Sequence, residues 1–249
     1  MGPLPILICT AFTNGLPLWY IGQNCRGGSR IKHFVIPTPL IAVFAAVEGL
    51  LYFLFLVLDV IGRGEDTLWL KYAGILLCFA FALFCALRGS SRLVAPALLF
   101  TAGADWFLLV RGDHLILGVA LFLCVQFLYA LRLRHTGGRI APGLRAVLAA
   151  LLLLPPCLIP SLRSPLNFLA LFYFSQLLSN TVLAWQLPSL RVFALGLTLF
   201  VGCDVCVGLF NVLPAAGPLF SAVSVGMWFF YLPSQVLIAL SARSKEGVL

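Results

Sequence analysis

The chain has 249 residues, of which 62% are hydrophobic and only 10% charged, with a formal charge of +8. Its mean hydropathy of +1.08 excludes an ordinary soluble domain, which is roughly 45–50% apolar and spreads its apolar residues periodically rather than in blocks. Nucleic-acid binding is excluded with it, because no basic domain or aromatic-basic module exists to carry it.

Residues 1–33 are an apolar N-terminal segment followed by a basic loop. The first 22 residues carry Pro3, Pro5, Gly15 and Pro17 and lack the basic start of a signal peptide. An interfacial or re-entrant segment fits them about as well as an added span. From there, apolar blocks recur at transmembrane length, about 17–25 residues. They predict spans at 34–59, 72–87, 93–110, 115–131, 146–160, 166–185, 192–212 and 219–241. The expected fold is an all-α polytopic membrane protein, with eight transmembrane helices in one bundle over 34–243 and a short cytoplasmic tail at 244–249.

Charge sets the orientation. With eight spans, one side collects Arg26, Arg30, Lys32, Arg88, Arg92, Arg132, Arg134, Arg139, Arg145, Arg191, Arg243 and Lys245. The other side has Arg63, Lys71, Arg111 and Arg163. Twelve against four predicts that both termini are cytoplasmic, with the basic residues as short-loop anchors on anionic headgroups. Asp59, Glu65, Asp66 and Asp113 read as loop charges on the opposite face.

Six of the eight cysteines (Cys78, Cys85, Cys124, Cys157, Cys203 and Cys206) lie in or at the ends of spans, where cysteine behaves as a small hydrophobe. Cys203 and Cys206 form a CxxC around Asp204, which is compatible with a soft metal or a dithiol. No histidine or second cysteine pair in a nearby span completes such a site, so neither metal nor cofactor is expected.

Three acids stand inside apolar blocks: Glu48, Asp105 and Asp204. A charged group at bilayer depth is costly, so these side chains should face protein or a water-filled cavity. Asp105 and Asp204 each lie 12 residues beyond the starts of their spans, residues 93 and 192. At the helical rise this is about 18 Å from the cytoplasmic boundary of a roughly 30 Å core, with Glu48 near 21 Å. Two acids at matching depth repel unless they share a proton or a ligand. Glu48 reads either as a third wall of the same chamber or as a packing acid paired with a tyrosine.

The even-numbered spans carry Gln126 and Tyr129, then Tyr173, Gln176, Ser179 and Asn180, then Tyr231, Ser234 and Gln235. Tyr173, Gln176 and Asn180 share one helix face. Gln126, Asn180 and Gln235 come out at about 8–9 Å depth. The pattern describes a polar cleft that opens toward the cytoplasmic leaflet and ends at the carboxylates. Hydrogen bonding between helices is the plainer use of any single amide or hydroxyl, at about 1 kcal/mol each. Gly103 and Gly202 stand just before the two aspartates and hint at a duplicated four-helix unit with parallel third and seventh helices.

These residues resemble the lysoplasmalogenase-like (YhhN-type) family of eight-span membrane proteins over roughly residues 35–243. Lys71 matches its second-span lysine, Ala104-Asp105 its first acidic motif, and Gly118, Phe122 and Tyr129 the helix that follows. Cys203-Asp204 matches the second acidic motif, and Tyr231 with Gln235 the final span. Three features depart from the pattern. Tyr72 replaces a proline, the residues before both acids are not the usual ones, and Gln126 stands where the family has histidine.

The resemblance implies hydrolysis of the vinyl ether of lysoplasmalogens to a fatty aldehyde and a glycerophospho-headgroup. Asp105 and Asp204 would be the catalytic acids. Glu48, Lys71, Gln126, Tyr129, Tyr173, Asn180, Tyr231 and Gln235 would bind or position a lysophospholipid. Glutamine for histidine removes a titratable group but keeps a hydrogen-bond donor and acceptor. A non-enzymatic lipid-binding protein, or a proton-coupled small-solute transporter, would use the same cleft. The chain's economy favours a bacterial inner membrane over the endoplasmic reticulum.

Overall fold

The computed structural model describes residues 37–61, 67–215 and 217–243. The N-terminal segment 1–33, the acids Glu65 and Asp66, and the tail 244–249 lie outside the described residues. Among the described residues, eight α-helices follow in chain order: α1 (Thr38–Val60), α2 (Leu68–Leu87), α3 (Val94–Asp105), α4 (Leu115–His135), α5 (Pro142–Leu158), α6 (Pro165–Trp185), α7 (Arg191–Val212) and α8 (Pro218–Ser241). Seven of them, counting the π-helical turn that continues α3 to Arg111, are long and apolar enough to cross a membrane; α5, at 17 residues, is shorter. The protein is an all-α polytopic membrane protein.

Helix ends follow local chemistry. Pro142, Pro165 and Pro218 open α5, α6 and α8, at the first turn where a missing N–H costs nothing. The Ser164 hydroxyl accepts from the Asn167 N–H at 3.1 Å and caps α6. α3 changes pitch directly after Asp105: residues Trp106–Arg111 form a π-helical turn, ended by Gly112 at φ +64°. Such turns widen the helix and frequently mark functional positions. Leu108 of this turn lies against α4 so closely that a Cβ on Gly118 would sit 2.5 Å from its Cγ. At the end of the turn, the exposed Arg111 guanidinium holds the Asp113 carboxyl below the usual carboxylate range.

Six helices close a ring in the order α2, α3, α4, α6, α7, α8 and back to α2. α1 packs outside it on α2 and α8, and α5 packs outside it on α6. Each aspartate-bearing helix is flanked by its chain neighbours, α3 by α2 and α4, and α7 by α6 and α8. The outward faces carry exposed Leu50, Phe53, Phe127, Leu151, Val205 and Phe229, as expected when hydrocarbon rather than water is the solvent.

Three sequence expectations change. α4 continues four residues past 131, through a last turn carrying Arg132, Arg134 and His135, where cations complement the helix dipole. This extension puts Gln126 about 14 Å from the end of its helix rather than 8–9 Å. Arg132 is no headgroup anchor. It is fully buried, donates to Ser241 Oγ and Ser241 O at 2.7 Å, and stacks over Phe193 at 4.4 Å. Asp59 is no loop charge either: it lies in the last turn of α1 and accepts from Lys71 and Thr67.

Pro233 interrupts α8 and leaves the carbonyl four residues back without its helical donor. That carbonyl belongs to Phe229, and the Tyr52 hydroxyl of α1 donates to it at 3.2 Å. The tightest helix pair is α7 with α8. A Cβ on Gly196 would lie 3.1 Å from Ser234 O and 3.2 Å from Ile238 N. Gly196→Ala must therefore push two backbones apart and should cost about 1–3 kcal/mol, read as a lower unfolding temperature in detergent. Gly49→Ala, with no atom within 4 Å of the new Cβ, should leave that temperature unchanged or raise it.

Candidate functional site

The ring interior holds the polar groups that lipid cannot solvate. Asp105 closes α3 and is 5% exposed. The Tyr231 hydroxyl of α8 donates to its Oδ2 at 2.7 Å, the distance of a strong hydrogen bond to a carboxyl group. The Tyr72 hydroxyl of α2 donates to Ala102 O at 3.4 Å beside this carboxyl.

Asp204 enters from α7. Its Oδ2 is buried without a hydrogen-bond partner. The Tyr173 hydroxyl of α6 is turned toward it but makes no hydrogen bond of ordinary geometry. The two acid–tyrosine pairs are joined by aromatic packing. Phe200 lies 5.6 Å from Tyr231 and 5.6 Å from Phe122, and Phe122 lies 5.7 Å from Tyr173. Cys203 is buried within electrostatic range of both carboxyls. Cys206 instead packs against Gly226 of α8. Among the described residues no group of three or more histidine, cysteine and acidic side chains converges as a metal site.

Toward the arginine-rich ends of the helices the interior continues with amides and hydroxyls. Tyr129 of α4 and Thr101 of α3 face each other, and neither hydroxyl has a hydrogen-bond partner. Asn180 donates to Gln126 O at 2.9 Å and to Gln126 Oε1 at 3.0 Å. Gln126 Nε2 and Gln235 Oε1 are buried without partners, while Gln235 Nε2 donates to Ser234. A buried orphan polar atom costs about 1–3 kcal/mol. The unpartnered atoms inside the ring are spread over five neighbouring helices, α3, α4, α6, α7 and α8.

Sequence reading missed Arg145. From the first turns of α5 it donates to Gln176 Oε1 at 2.9 Å, Asn180 Oδ1 at 2.7 Å and Ile140 O at 3.0 Å. The available signal was the four-residue spacing of Gln176 and Asn180, two acceptors on one face that needed a donor. A cleft of about 420 Å³ runs beside this cluster, lined by Gln126, Phe127, Arg134, Ile140, Arg145 and Phe172 among others.

Glu48 and Lys71 sit elsewhere, in the seam of α1, α2 and α8. Glu48 is 2% exposed and accepts from Cys78 Sγ at 3.2 Å, a thiol rather than a tyrosine. It borders a second, open groove beside Tyr52 and Pro233. Lys71 pairs with Asp59 at 2.8 Å and lies over Trp228 at 4.9 Å and Phe55 at 5.7 Å. Trp228 in turn meets Tyr231 edge-on at 5.4 Å, so Lys71 reaches the Asp105 environment only through an aromatic relay.

No curated protein and no solved structure matches the chain. Residues 67–242, well over half of the chain and all of α2 to α8, match the YhhN family. The match includes both aspartates, both facing tyrosines, and Lys71, Gln126 and Gln235, while α1 with Glu48 falls outside it. An all-helical membrane protein with acids and tyrosines gathered inside a six-helix ring, this chain belongs to the YhhN family.

Proposed function

We propose that the protein hydrolyses the vinyl ether bond of lysoplasmalogen-type lysophospholipids, with Asp204 and Asp105 as its acid pair. The observation that supports it is the pairing itself: two membrane-depth carboxyl groups, each faced by a tyrosine, on opposite sides of one ring. Membership in the YhhN family is consistent with lipid processing.

The reaction needs a proton on carbon and a water at the resulting cation. Asp204, whose Oδ2 has no protein partner, delivers its proton to the enol carbon. The double bond becomes an oxocarbenium ion beside the Asp105 carboxyl, which is oriented by Tyr231. Water adds to the cationic carbon and returns a proton to a carboxylate. The hemiacetal then breaks its bond to the glycerol oxygen, which takes the proton from that carboxyl group while the hemiacetal hydroxyl gives its own proton back to it, releasing a fatty aldehyde and a glycerophospho-headgroup with the acid restored. General acid help of this type is worth about 100- to 10,000-fold.

Purified protein should release aldehyde from a lysoplasmalogen and leave the matching ester lysophospholipid intact, because only the vinyl ether yields a stabilised cation on protonation. Asp105→Asn and Asp204→Asn should each lower turnover at least about 100-fold without loss of the fold. Gln126→His, which restores the family's residue, should keep or raise the rate. Lipid binding without aldehyde, weakened in the Asn variants, would instead mark a binding protein. Proton-coupled solute uptake into liposomes, lost in those variants, would mark a transporter.

We also propose eight spans with both termini cytoplasmic in a bacterial inner membrane, supported by the distribution of Lys and Arg. In a cysteine-free background, His135→Cys should be shielded from an impermeant thiol reagent added outside, whereas Gly64→Cys should react. Labelling at residue 135 would invert the topology.

A further inference from the structure

We infer that the cleft between α4, α5 and α6 is the seat of a lipid phosphate, with Arg145 and Arg134 as its cationic ligands and Gln126 as its inner donor. α4 and α5 each pack on α6, so α6 forms the floor of a groove with the other two as walls. Phe127, Ile140 and Phe172 line it and are all exposed on the apolar outer surface. A ligand can therefore enter from the bilayer, and its chain has an apolar wall to follow. The volume of about 420 Å³ falls within the range of small-molecule sites, about 300–1,000 Å³. It suits a headgroup with one chain better than a two-chain lipid.

The donor set specifies an anion. Arg145 is half-buried and held by three neutral acceptors, Ile140 O, Gln176 Oε1 and Asn180 Oδ1. No described carboxylate lies within ion-pair distance of it. A guanidinium has five N–H donors, so two remain for a ligand. Arg134 stands at the rim of the same cleft. Gln126 is 1% exposed, lines the cleft, and keeps its Nε2 buried without a partner. Donors converge here with no acidic side chain among the lining residues, so the complementary group is acceptor-only, multiply oxygenated and negatively charged. A phosphate meets that description, and an arginine fork fits its geometry.

The inference rests on the proposed function only in taking a lysophospholipid as the ligand, and its test reads binding without hydrolysis. An ester-linked lysophospholipid is titrated into the purified full-length protein, alongside a monoacylglycerol of the same chain and inorganic phosphate. Arg145→Gln and Arg134→Gln should each weaken lysophospholipid binding at least about 10-fold, the scale of a lost charge-assisted hydrogen bond. Arg145→Lys should recover only part of it. Monoacylglycerol should bind the wild type and both Gln variants alike, and Arg191→Gln, a cation outside the cleft, should bind the lysophospholipid as the wild type does.

Unchanged lysophospholipid affinity in both Gln variants would overturn the site. An equal loss of monoacylglycerol binding would overturn it too, by showing damaged packing instead of a lost phosphate contact. Inorganic phosphate binding as tightly as the lysophospholipid would reduce the cleft to a free-anion site and overturn the lipid assignment. Should Arg145→Gln not fold, Arg134→Gln on the exposed rim decides alone. Aldehyde release that fails while this binding pattern holds would sink the hydrolase reading and leave the phosphate seat standing.

Discussion

Hydrocarbon offers no hydrogen bond, so every polar side chain at bilayer depth must find its partner in protein or in something the protein binds. That constraint orders this molecule from the outside inward. Apolar faces turn to lipid, and Asp105, Asp204, Tyr129, Tyr173, Gln126, Asn180 and Gln235 turn into the ring of six helices. Where the chain breaks its own helical hydrogen bonding, it repairs the break from a neighbour, as Tyr52 does for the Phe229 carbonyl freed by Pro233. Arg132 meets the same demand by burying its charge against the C-terminal end of α8 and the face of Phe193.

The constraint is met unevenly, and the unevenness is informative. The Asp59–Lys71 pair, the Glu48–Cys78 contact and the Arg132 clamp tie helices together with partners close at hand. Inside the ring, Asp204, Tyr173, Tyr129, Thr101, Gln126 and Gln235 each keep a buried atom unpartnered, as does the second carboxyl oxygen of Glu48 in the seam outside it. A purely structural interior would have been filled with apolar side chains or closed hydrogen-bond pairs, since half-satisfied polar groups cost more than either. On the proposed reading, these donors and acceptors would be completed by a bound lipid and a water.

Two chemically different regions lie along the bundle. The acid–tyrosine pairs sit at mid-depth with aromatic rings between them, a setting for proton transfer at an uncharged bond. The arginine-lined cleft lies toward the helix ends and opens on the lipid-facing surface, a setting for an anionic headgroup. Gln126 belongs to both, bonded to Asn180 in the interior and lining the cleft. On the proposed reading, one amphiphile, with a phosphate at one end and a reactive bond a few atoms away, would engage both regions.

The sequence by itself determined the membrane class and the helical blocks, and set three acids within those blocks, because block length and composition depend on nothing beyond the chain itself. It also marked Tyr231 and Tyr173, since polar groups in apolar runs have few places to go. Only the tertiary structure decided which helices are neighbours. It separated Glu48 from the two aspartates by placing α1 outside the ring, and it turned Asp59 of α1 from a loop charge into the partner of Lys71 on α2. It drew Arg145 out of a list of surface cations, and it lengthened α4 so that Gln126 sits deeper than its span boundary implied. Depth along a helix is local arithmetic, whereas rotation about its axis and the choice of neighbour are set by packing between segments distant in the chain.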